Sequence, residues 1–353
     1  MTRPRARRNA VPIFSMIPRT FTLATLLFAA ATLVGAAVPR HDLYLAATIS
    51  RNYVIGSKLV TLSGLYHRAP DGTYQHFGPN FPHLFQIAFD PRDRNVFYVA
   101  SLNGCLVTRD GGKTFRFATS WDMTEAKDVS VDPHQPDHVY LALPDGIAVS
   151  TDRGMTWVRR EQGLPARGKY TQVVKPDRAT AGRLLAGCES GIYLSEDGAG
   201  SWRRVFPTRY TVTDIRQSPH DARVWLASTQ ADGIQLSRDG GRSWTRFEGL
   251  PTADAWYNVA FDPTHPQRYA VSSWTYGVHT TEDGGVTWTA RNAGLPDEHV
   301  VFRVGIDPDN GRLYAGVYRE ALFVSDDFGR TWRNDGLEGS TIYNFIFMPR
   351  EQR

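Results

Sequence analysis

The 353-residue chain carries 40 Lys and Arg against 36 Asp and Glu, for a net charge of +4. Five basic residues and no acidic residue lie within positions 1–36, so the remaining chain has a net charge of −1. Nucleic-acid binding needs a basic surface on the folded domain, so this charge balance argues against a nucleic-acid partner.

The N-terminal segment, residues 1–36, has the three parts of a secretory signal. A basic start precedes an uncharged run from Phe21 to Val38, and Val34 and Ala36 supply the small residues of a cleavage site. The run of 18 residues also reaches the lower limit for crossing a bilayer, so an uncleaved membrane anchor remains the alternative. Met16 is a second candidate start. The segment predicts an exported protein, periplasmic or secreted.

One octapeptide dominates the rest of the chain, with the form Ser/Thr-x-Asp-x-Gly-x-Ser/Thr-Trp/Phe. It occurs six times, with 42 to 45 residues between successive copies. The copies are TRDGGKTF (108–115), STDRGMTW (150–157), SEDGAGSW (195–202), SRDGGRSW (237–244), TEDGGVTW (281–288) and SDDFGRTW (325–332). A constant period of this length is typical of repeat architectures.

Each period also contains four short strand patterns, the first of which ends near Asp-Pro and the third of which runs into the octapeptide. Four strands per period predict an all-β, seven-bladed β-propeller over residues 41–350. The seventh blade is split. The N-terminal part lacks a first strand, and the segment from Ile342 to Pro349 supplies it and closes the ring. Six blades are the fallback count.

The octapeptide has a local explanation. Its Asp can accept backbone hydrogen bonds within the turn, and its Gly permits positive φ. Because the copies lie a blade apart, they cannot form one site, and we predict a structural role without metal or cofactor for Asp110, Asp152, Asp197, Asp239, Asp283 and Asp327. The cysteines, Cys105 and Cys188, fall two blades apart and are expected as free buried thiols.

These octapeptides resemble the Asp-box, or bacterial neuraminidase repeat. The resemblance covers nearly all of the chain after the signal and extends to sialidases, xyloglucan-type glycosidases, sortilin-type receptors and photosystem II assembly propellers. It implies that the box lies on the periphery, away from the ligand face. No Arg-Ile-Pro element of a sialidase occurs, and the xyloglucan-type enzymes use a cleft between two propellers, whereas this chain predicts one.

A binding face is expected opposite the octapeptides, on the loops between blades and between second and third strands. Aromatic and charged side chains mixed on loops suit binding, although ordinary loop polarity also explains them. The candidates on these loops are Trp121, Tyr170, Tyr210, Trp256, Tyr257, Trp274, Tyr276, Tyr318 and Arg319.

A second set of candidates comes from aligning the first strands on their final proline. The position five residues earlier is polar in all seven blades, which predicts a polar ring near the mouth of the central channel. Its members are Gln86, Asp128, Thr171, Asp214, Asn258, Arg303 and Asn344. The ring is either a solvated wall or a ligand site, in which Asp128 and Asp214 would be the acid and base of a glycosidase.

The leading functional hypothesis is a non-enzymatic, monomeric scaffold that binds a protein or carbohydrate on the loop face, such as an assembly factor. No metalloprotease, redox, nucleophile-elbow or phosphate-loop motif occurs. The alternative is a sialidase- or xyloglucanase-like glycoside hydrolase that uses Asp128 and Asp214. A sortilin-like receptor fragment is a weaker third hypothesis, because the disulfide-rich module expected after such a propeller is absent.

Overall fold

The computed structural model describes residues 40–49 and 62–350. Within these two ranges the chain forms 29 β-strands and no helix, so the described part holds no helix long and apolar enough to cross a membrane. The predicted signal segment, residues 1–36, lies outside the described residues. The strands form seven antiparallel sheets, which confirms the predicted seven-bladed propeller.

Six blades each contain four strands that follow one another in the chain. They are blade 2 with β4 (Leu84–Asp90), β5 (Asp93–Ser101), β6 (Gly104–Thr108) and β7 (Arg116–Phe117); blade 3 with β8 (Asp128–Val131), β9 (Val139–Leu143), β10 (Gly146–Ser150) and β11 (Val158–Arg159); blade 4 with β12 (Thr171–Pro176), β13 (Leu184–Cys188), β14 (Gly191–Ser195) and β15 (Arg203–Pro207); blade 5 with β16 (Val212–Gln217), β17 (Trp225–Thr229), β18 (Ile234–Ser237) and β19 (Thr245–Arg246); blade 6 with β20 (Trp256–Phe261), β21 (Tyr269–Ser273), β22 (Gly277–Thr281) and β23 (Thr289–Ala290); and blade 7 with β24 (Val301–Ile306), β25 (Leu313–Val317), β26 (Ala321–Ser325) and β27 (Arg333–Gly336).

Blade 1 closes the ring from both ends of the chain. Its N-terminal strands are β1 (His41–Ile49), β2 (Gly64–Arg68) and β3 (Tyr74–Phe77), and its inner strand consists of β28 (Ser340–Ile342) and β29 (Ile346–Pro349). Both C-terminal strands pair antiparallel with β1, as the sequence predicts. Closure leaves no open sheet edge between the first and last blades.

The core is divided among the interfaces between blades. Seven clusters of buried apolar side chains each join two neighbouring blades, so every interface around the ring has its own core. Cys105 and Cys188 are free and buried in different clusters, between blades 2 and 3 and between blades 3 and 4. Each blade therefore depends on its neighbours for stability, as expected for repeats that bury apolar faces against one another.

Each octapeptide forms a turn in which the Asp carboxylate and a hydroxyl accept hydrogen bonds from backbone N–H groups of the same turn. In the copy of blade 6, Asp283 accepts hydrogen bonds from the backbone N–H and hydroxyl of Thr287, and the hydroxyl of Thr281 accepts the N–H of Gly285. The same contacts recur in the other five copies; in blade 4, Ala199 takes the glycine position with a φ of 69°. The aspartates thus act within separate turns, at the end of each blade opposite the loop face.

Candidate functional site

The loop face consists of the inter-blade loops and the loops between the second and third strands of each blade. A continuous row of aromatic side chains crosses it beside the channel. We call this row the aromatic arc; it consists of Phe85, Tyr343, Phe302, Tyr257, Trp274 and Tyr318. Successive ring centroids lie 4.8 to 5.8 Å apart, the usual separation of interacting aromatic rings.

A pocket of about 330 Å³ opens at the mouth of the channel beside the arc. Its volume falls within the range of small-molecule sites. The lining combines aromatic rings, amides, hydroxyls, one carboxylate and one guanidinium, from Tyr170, Gln172, Glu189, Thr211, Thr213, Gln230, Tyr257, Phe302 and Arg303. Glu189 is exposed to solvent. Its position gives the pocket an ionisable group that a bound molecule can reach.

β-Bulges explain why these side chains reach the pocket. The pairing of the inner strand with its neighbour skips one residue in five blades, at Phe85, Gln172, Thr213, Tyr257 and Phe302. A bulge leaves its extra residue unpaired and re-aims the side chain. Four of the five skipped residues line the pocket, and the fifth belongs to the arc. Most of these residues escaped the sequence analysis, although they directly precede the ring positions.

Six of the seven predicted ring residues hold equivalent positions on their inner strands, whereas the equivalent position of blade 4 is apolar. Asp214 lies four residues before Ser218, the turn residue at the end of its inner strand. In blade 4 the turn residue is Asp177, so the same spacing gives Val173 the ring position. Thr171 lies two residues before the equivalent position, because Pro176 precedes the turn residue whereas the other prolines follow it. Thr171 is buried and donates to the carbonyl of Lys169.

The side chains of the ring connect neighbouring blades. In blade 3, Asp128 accepts the backbone N–H of Val174 at 2.9 Å, and Asn258 accepts that of Val304 at 2.7 Å. Asn344 of blade 1 donates from Nδ2 to the carbonyl of Phe85 in blade 2 at 3.1 Å. Both accepted N–H groups belong to residues that directly follow a ring position. The ring therefore has a structural role in addition to any role in binding.

Both ring carboxylates are buried and ion-paired. Asp128, 3 % exposed, lies 2.7 Å from the ammonium of Lys175, and Asp214, 4 % exposed, lies 3.0 Å from Nε of Arg216. Burial alone would raise the pKa of Asp214, but the charges of Arg216, Arg303 and Lys175 outweigh it and hold the pKa below its ordinary value. Asp214 is therefore ionised at neutral pH, which suits a base or nucleophile and excludes a general acid.

The other predicted loop residues differ in where their side chains lie. Tyr170 and Tyr257 line the pocket, and Trp274 and Tyr318 extend the arc, each 37 % exposed. Trp121, Tyr210 and Arg319 are exposed but line no part of the pocket.

Trp256, a predicted ligand contact, is not among the residues that line the pocket. It is fully buried between blades 5 and 6 and donates from Nε1 to the carbonyl of Pro251, because it precedes the bulge and faces the interface. Tyr276 packs partly buried against the same cluster, with its ring centroid 5.9 Å from that of Trp256.

No protein-family profile matches the chain. Among curated proteins, it is 23 % identical over 284 residues to an oligoxyloglucan-reducing end-specific xyloglucanase of Emericella nidulans, covering 70 % of this chain and 34 % of that protein. It is 27 % identical over 228 residues to a xyloglucanase of Paenibacillus sp, covering 60 % of this chain and 21 % of the relative. The chain thus spans about a third or less of the length of these relatives.

Solved structures share the fold. The GH74 enzyme of Niastella koreensis aligns with a TM-score of 0.67 at 17 % identity, covering 77 % of this chain and 51 % of the enzyme. YCF48 of Cyanidioschyzon merolae aligns with a TM-score of 0.57 at 19 % identity, covering 73 % and 87 %. Because the curated relatives are xyloglucanases, the prediction of a non-enzymatic scaffold was wrong, and the findings favour the glycoside hydrolase alternative.

Proposed function

We propose that the chain is a glycoside hydrolase of the xyloglucanase type, which binds a β-glucan chain along the aromatic arc and cleaves it at the loop-face pocket. The observation that carries the proposal is the pocket itself, where Glu189 lies among hydroxyl and amide groups beside two neighbouring aromatic rings, Tyr257 and Phe302. The similarity to xyloglucanases supports the same reaction class. We place the substrate on one propeller and not in a cleft between two, because the described residues form only one propeller.

The chemistry of the arc suits a sugar chain. Sugar rings have apolar faces of C–H groups, which aromatic side chains cover, and hydroxyl edges, which need hydrogen-bond partners. Tyr257 and Phe302 supply the rings, with centroids 4.8 Å apart. Gln172, Thr211 and Gln230 supply amide and hydroxyl groups on the same pocket wall. A glucan chain along the arc would meet both kinds of surface.

Hydrolysis needs one carboxyl group that donates a proton and one that acts as base or nucleophile. The sequence assigns these roles to Asp128 and Asp214. The lowered pKa of Asp214 restricts it to the second role. Both carboxylate oxygens of Asp128 are engaged, by the ammonium of Lys175 and by the backbone N–H of Val174. We therefore assign the proton donor to Glu189 and retain Asp214, which is buried directly after the pocket-lining residue Thr213, as the candidate base or nucleophile.

The test is a hydrolysis panel with xyloglucan, mixed-linkage β-glucan and cello-oligosaccharides, using the full chain and four single variants. Glu189→Gln and Asp214→Asn should lower kcat at least 100-fold, since positioned proton transfer contributes about 10²–10⁴-fold. Glu298→Gln removes an exposed loop-face carboxylate outside the pocket and should keep full activity. Asp128→Asn tests whether Asp128 and Asp214 act as a pair. Absence of turnover on every substrate would refute the proposal.

Export is part of the same proposal. A polysaccharide substrate lies outside the cytoplasm, and the basic and apolar residues before position 37 have the pattern of a secretory signal. N-terminal sequencing of the mature product should give a start directly after Ala36. Recovery of an intact N-terminus in the membrane fraction would indicate the anchor instead.

A further inference from the structure

Arg303 has a fixed guanidinium with one free edge. Its Nε donates to the carbonyl of Tyr343 at 2.7 Å, and Nη1 donates to the carbonyls of Tyr257 at 2.9 Å and Phe302 at 3.2 Å. The guanidinium also lies over the ring of Phe302, 4.8 Å from its centroid. In residues 40–49 and 62–350, Nη2 has no hydrogen-bond partner. Three carbonyls from three blades thus hold the group and leave two N–H donors available.

The charges around Arg303 do not balance. The channel wall brings together three cations, Lys175, Arg216 and Arg303, and two carboxylates, Asp128 and Asp214. Each carboxylate is paired with one of the other two cations, at 2.7 and 3.0 Å. Arg303 forms no ion pair with any described carboxylate, although it feels the charge of Asp214 at longer range. Among these five groups one positive charge is left without a partner, and it is located at Arg303. Glu189, the carboxylate that lines the same pocket, is exposed and forms no ion pair with Arg303.

The surroundings make this excess charge costly in the absence of an anion. Burial lowers the pKa of Arg303, and repulsion from Arg216 acts in the same direction. The hydrogen bonds from Arg303 go to neutral carbonyls, which orient the guanidinium without neutralising it. A bound anion would add the missing counter-charge, and a planar carboxylate is the group that a free guanidinium edge matches in geometry.

We propose that Arg303 is an anion subsite at the floor of the loop-face pocket, which takes the carboxylate of a uronic acid residue in the glycan. The geometry of the pocket favours a sugar acid over a peptide carboxylate. Phe302 and Tyr257 present their rings within the same pocket, and a uronosyl residue keeps the stacking face of a neutral hexose while adding one carboxylate. This inference rests on the proposed glycan-binding function and names the substrate class: a β-linked glycan that carries uronosyl residues.

The test compares two sugars that differ in the carboxylate alone. Methyl β-D-glucuronide and methyl β-D-glucoside are titrated into the full chain at low ionic strength, with binding followed by ligand-observed NMR. We expect the glucuronide to bind at least tenfold more tightly and this preference to decrease with added salt, because the contact is a charge pair. Equal affinity of the two sugars for the wild-type chain would overturn the proposal, whatever the variants do.

Variants locate the contact. Arg303→Gln should remove the preference, Arg303→Lys should keep part of it, and Arg209→Gln should keep all of it. Arg209 is an exposed, matched control on the same face that lines no part of the pocket. Circular dichroism checks that each variant folds. If Arg303→Gln does not fold, the salt dependence of the preference measured on the wild-type chain still tests the proposal. A preference that survives in a folded Arg303→Gln variant would overturn the assignment.

Two further measurements distinguish a uronic acid subsite from a peptide site and from the hydrolase activity. An N-acetylated dipeptide with a free C-terminal carboxylate should bind more weakly than the glucuronide; tighter binding that depends on Arg303 would overturn the sugar assignment. Hydrolysis of neutral β-glucan is measured in parallel. Turnover without a glucuronide preference defeats the subsite and leaves the proposed function intact, whereas an Arg303-dependent preference without turnover defeats the hydrolase and leaves the subsite.

Discussion

The fifth position of the octapeptide is a test of how the propeller is packed. All six copies adopt positive φ there, and five of them use glycine. At Gly285, with a φ of 92°, an added Cβ would lie 2.1 Å from Cε1 of Phe247 in the neighbouring blade. Ala199 holds the same turn with its methyl group fully buried between blades 3 and 4. Gly285→Ala and Ala199→Gly exchange the same two residue types in opposite directions, and they should change the stability of the protein by very different amounts.

The magnitudes follow from three terms. A Cβ in the left-handed region costs about 1–2 kcal/mol, and forcing it against Phe247 costs about 1–3 kcal/mol more. The smaller entropy of the unfolded alanine chain offsets about 0.4–1 kcal/mol. Gly285→Ala should thus destabilise by about 2–4 kcal/mol. In Ala199→Gly the relief of strain is offset by the same entropy term and by about 0.8 kcal/mol for the lost buried methyl, which leaves a net change near zero.

Thermal unfolding followed by circular dichroism measures the difference. Gly285→Ala should lower Tm by about 4–8 °C, at roughly 2 °C per kcal/mol for a chain of this size, and Ala199→Gly should leave it nearly unchanged. Gly198→Ala is the matched control, because Gly198 has a φ of 71° but no atom within 4 Å of the added Cβ. It should show the backbone cost without the clash. Equal losses in Gly285→Ala and Gly198→Ala would refute the packing argument.

Three further predictions follow from the same structure. Hydrogen bonds from Thr287 hold the pKa of Asp283 at about 2, below its unfolded value near 3.9. The stabilising effect of this carboxylate is therefore complete above about pH 4 and is lost as the pH falls toward 2. Tm should fall over this pH window, and it should fall less steeply in Asp283→Asn. Lys175→Met leaves Asp128 buried without its counter-ion and should destabilise by about 3–5 kcal/mol in denaturant unfolding. Tyr257→Ala removes a stacking ring from the pocket and should weaken binding of β-glucan oligosaccharides about 5- to 160-fold in calorimetry, by analogy with the roughly 1–3 kcal/mol of ring stacking.

Each of these predictions has a control on the same chain. Lys169→Met breaks a partly exposed ion pair with Glu161 and should cost less than about 1 kcal/mol, so an equal loss in Lys175→Met would contradict the argument from burial. Tyr210→Ala removes an exposed ring outside the aromatic arc and should leave oligosaccharide affinity unchanged. A pH profile of Asp283→Asn that coincides with wild type would contradict the role of that carboxylate.

The fold could be predicted because each octapeptide solves a local problem that sequence alone displays. An Asp, a Gly and flanking hydroxyls define one turn, and their period counts the blades. The closing strand was also predictable, since the segment from Ile342 to Pro349 repeats the pattern of the other inner strands. Such features depend on contacts within a few residues, and the structure confirms them.

The site was only partly predictable, because it depends on contacts between blades. The ion pair of Lys175 with Asp128 joins two blades at positions that no local pattern relates, and the free edge of Arg303 is visible only with three blades in place. Alignment on the proline placed the ring residue of blade 4 two positions too early. Trp256 has the sequence context of a loop residue, although its side chain is buried at an interface between blades. The bulge residues Phe302 and Gln172 lacked any sequence signal beyond their place before the ring.

The most direct test of the account is a single-substrate reaction in H₂¹⁸O. A xyloglucan oligosaccharide is incubated with the full wild-type chain, and the products are analysed by mass spectrometry. The account predicts two shorter oligosaccharides, one of which carries a single ¹⁸O at its new reducing end, and no product with Glu189→Gln. An intact oligosaccharide after prolonged incubation with the folded wild-type chain would contradict the assignment of a glycoside hydrolase.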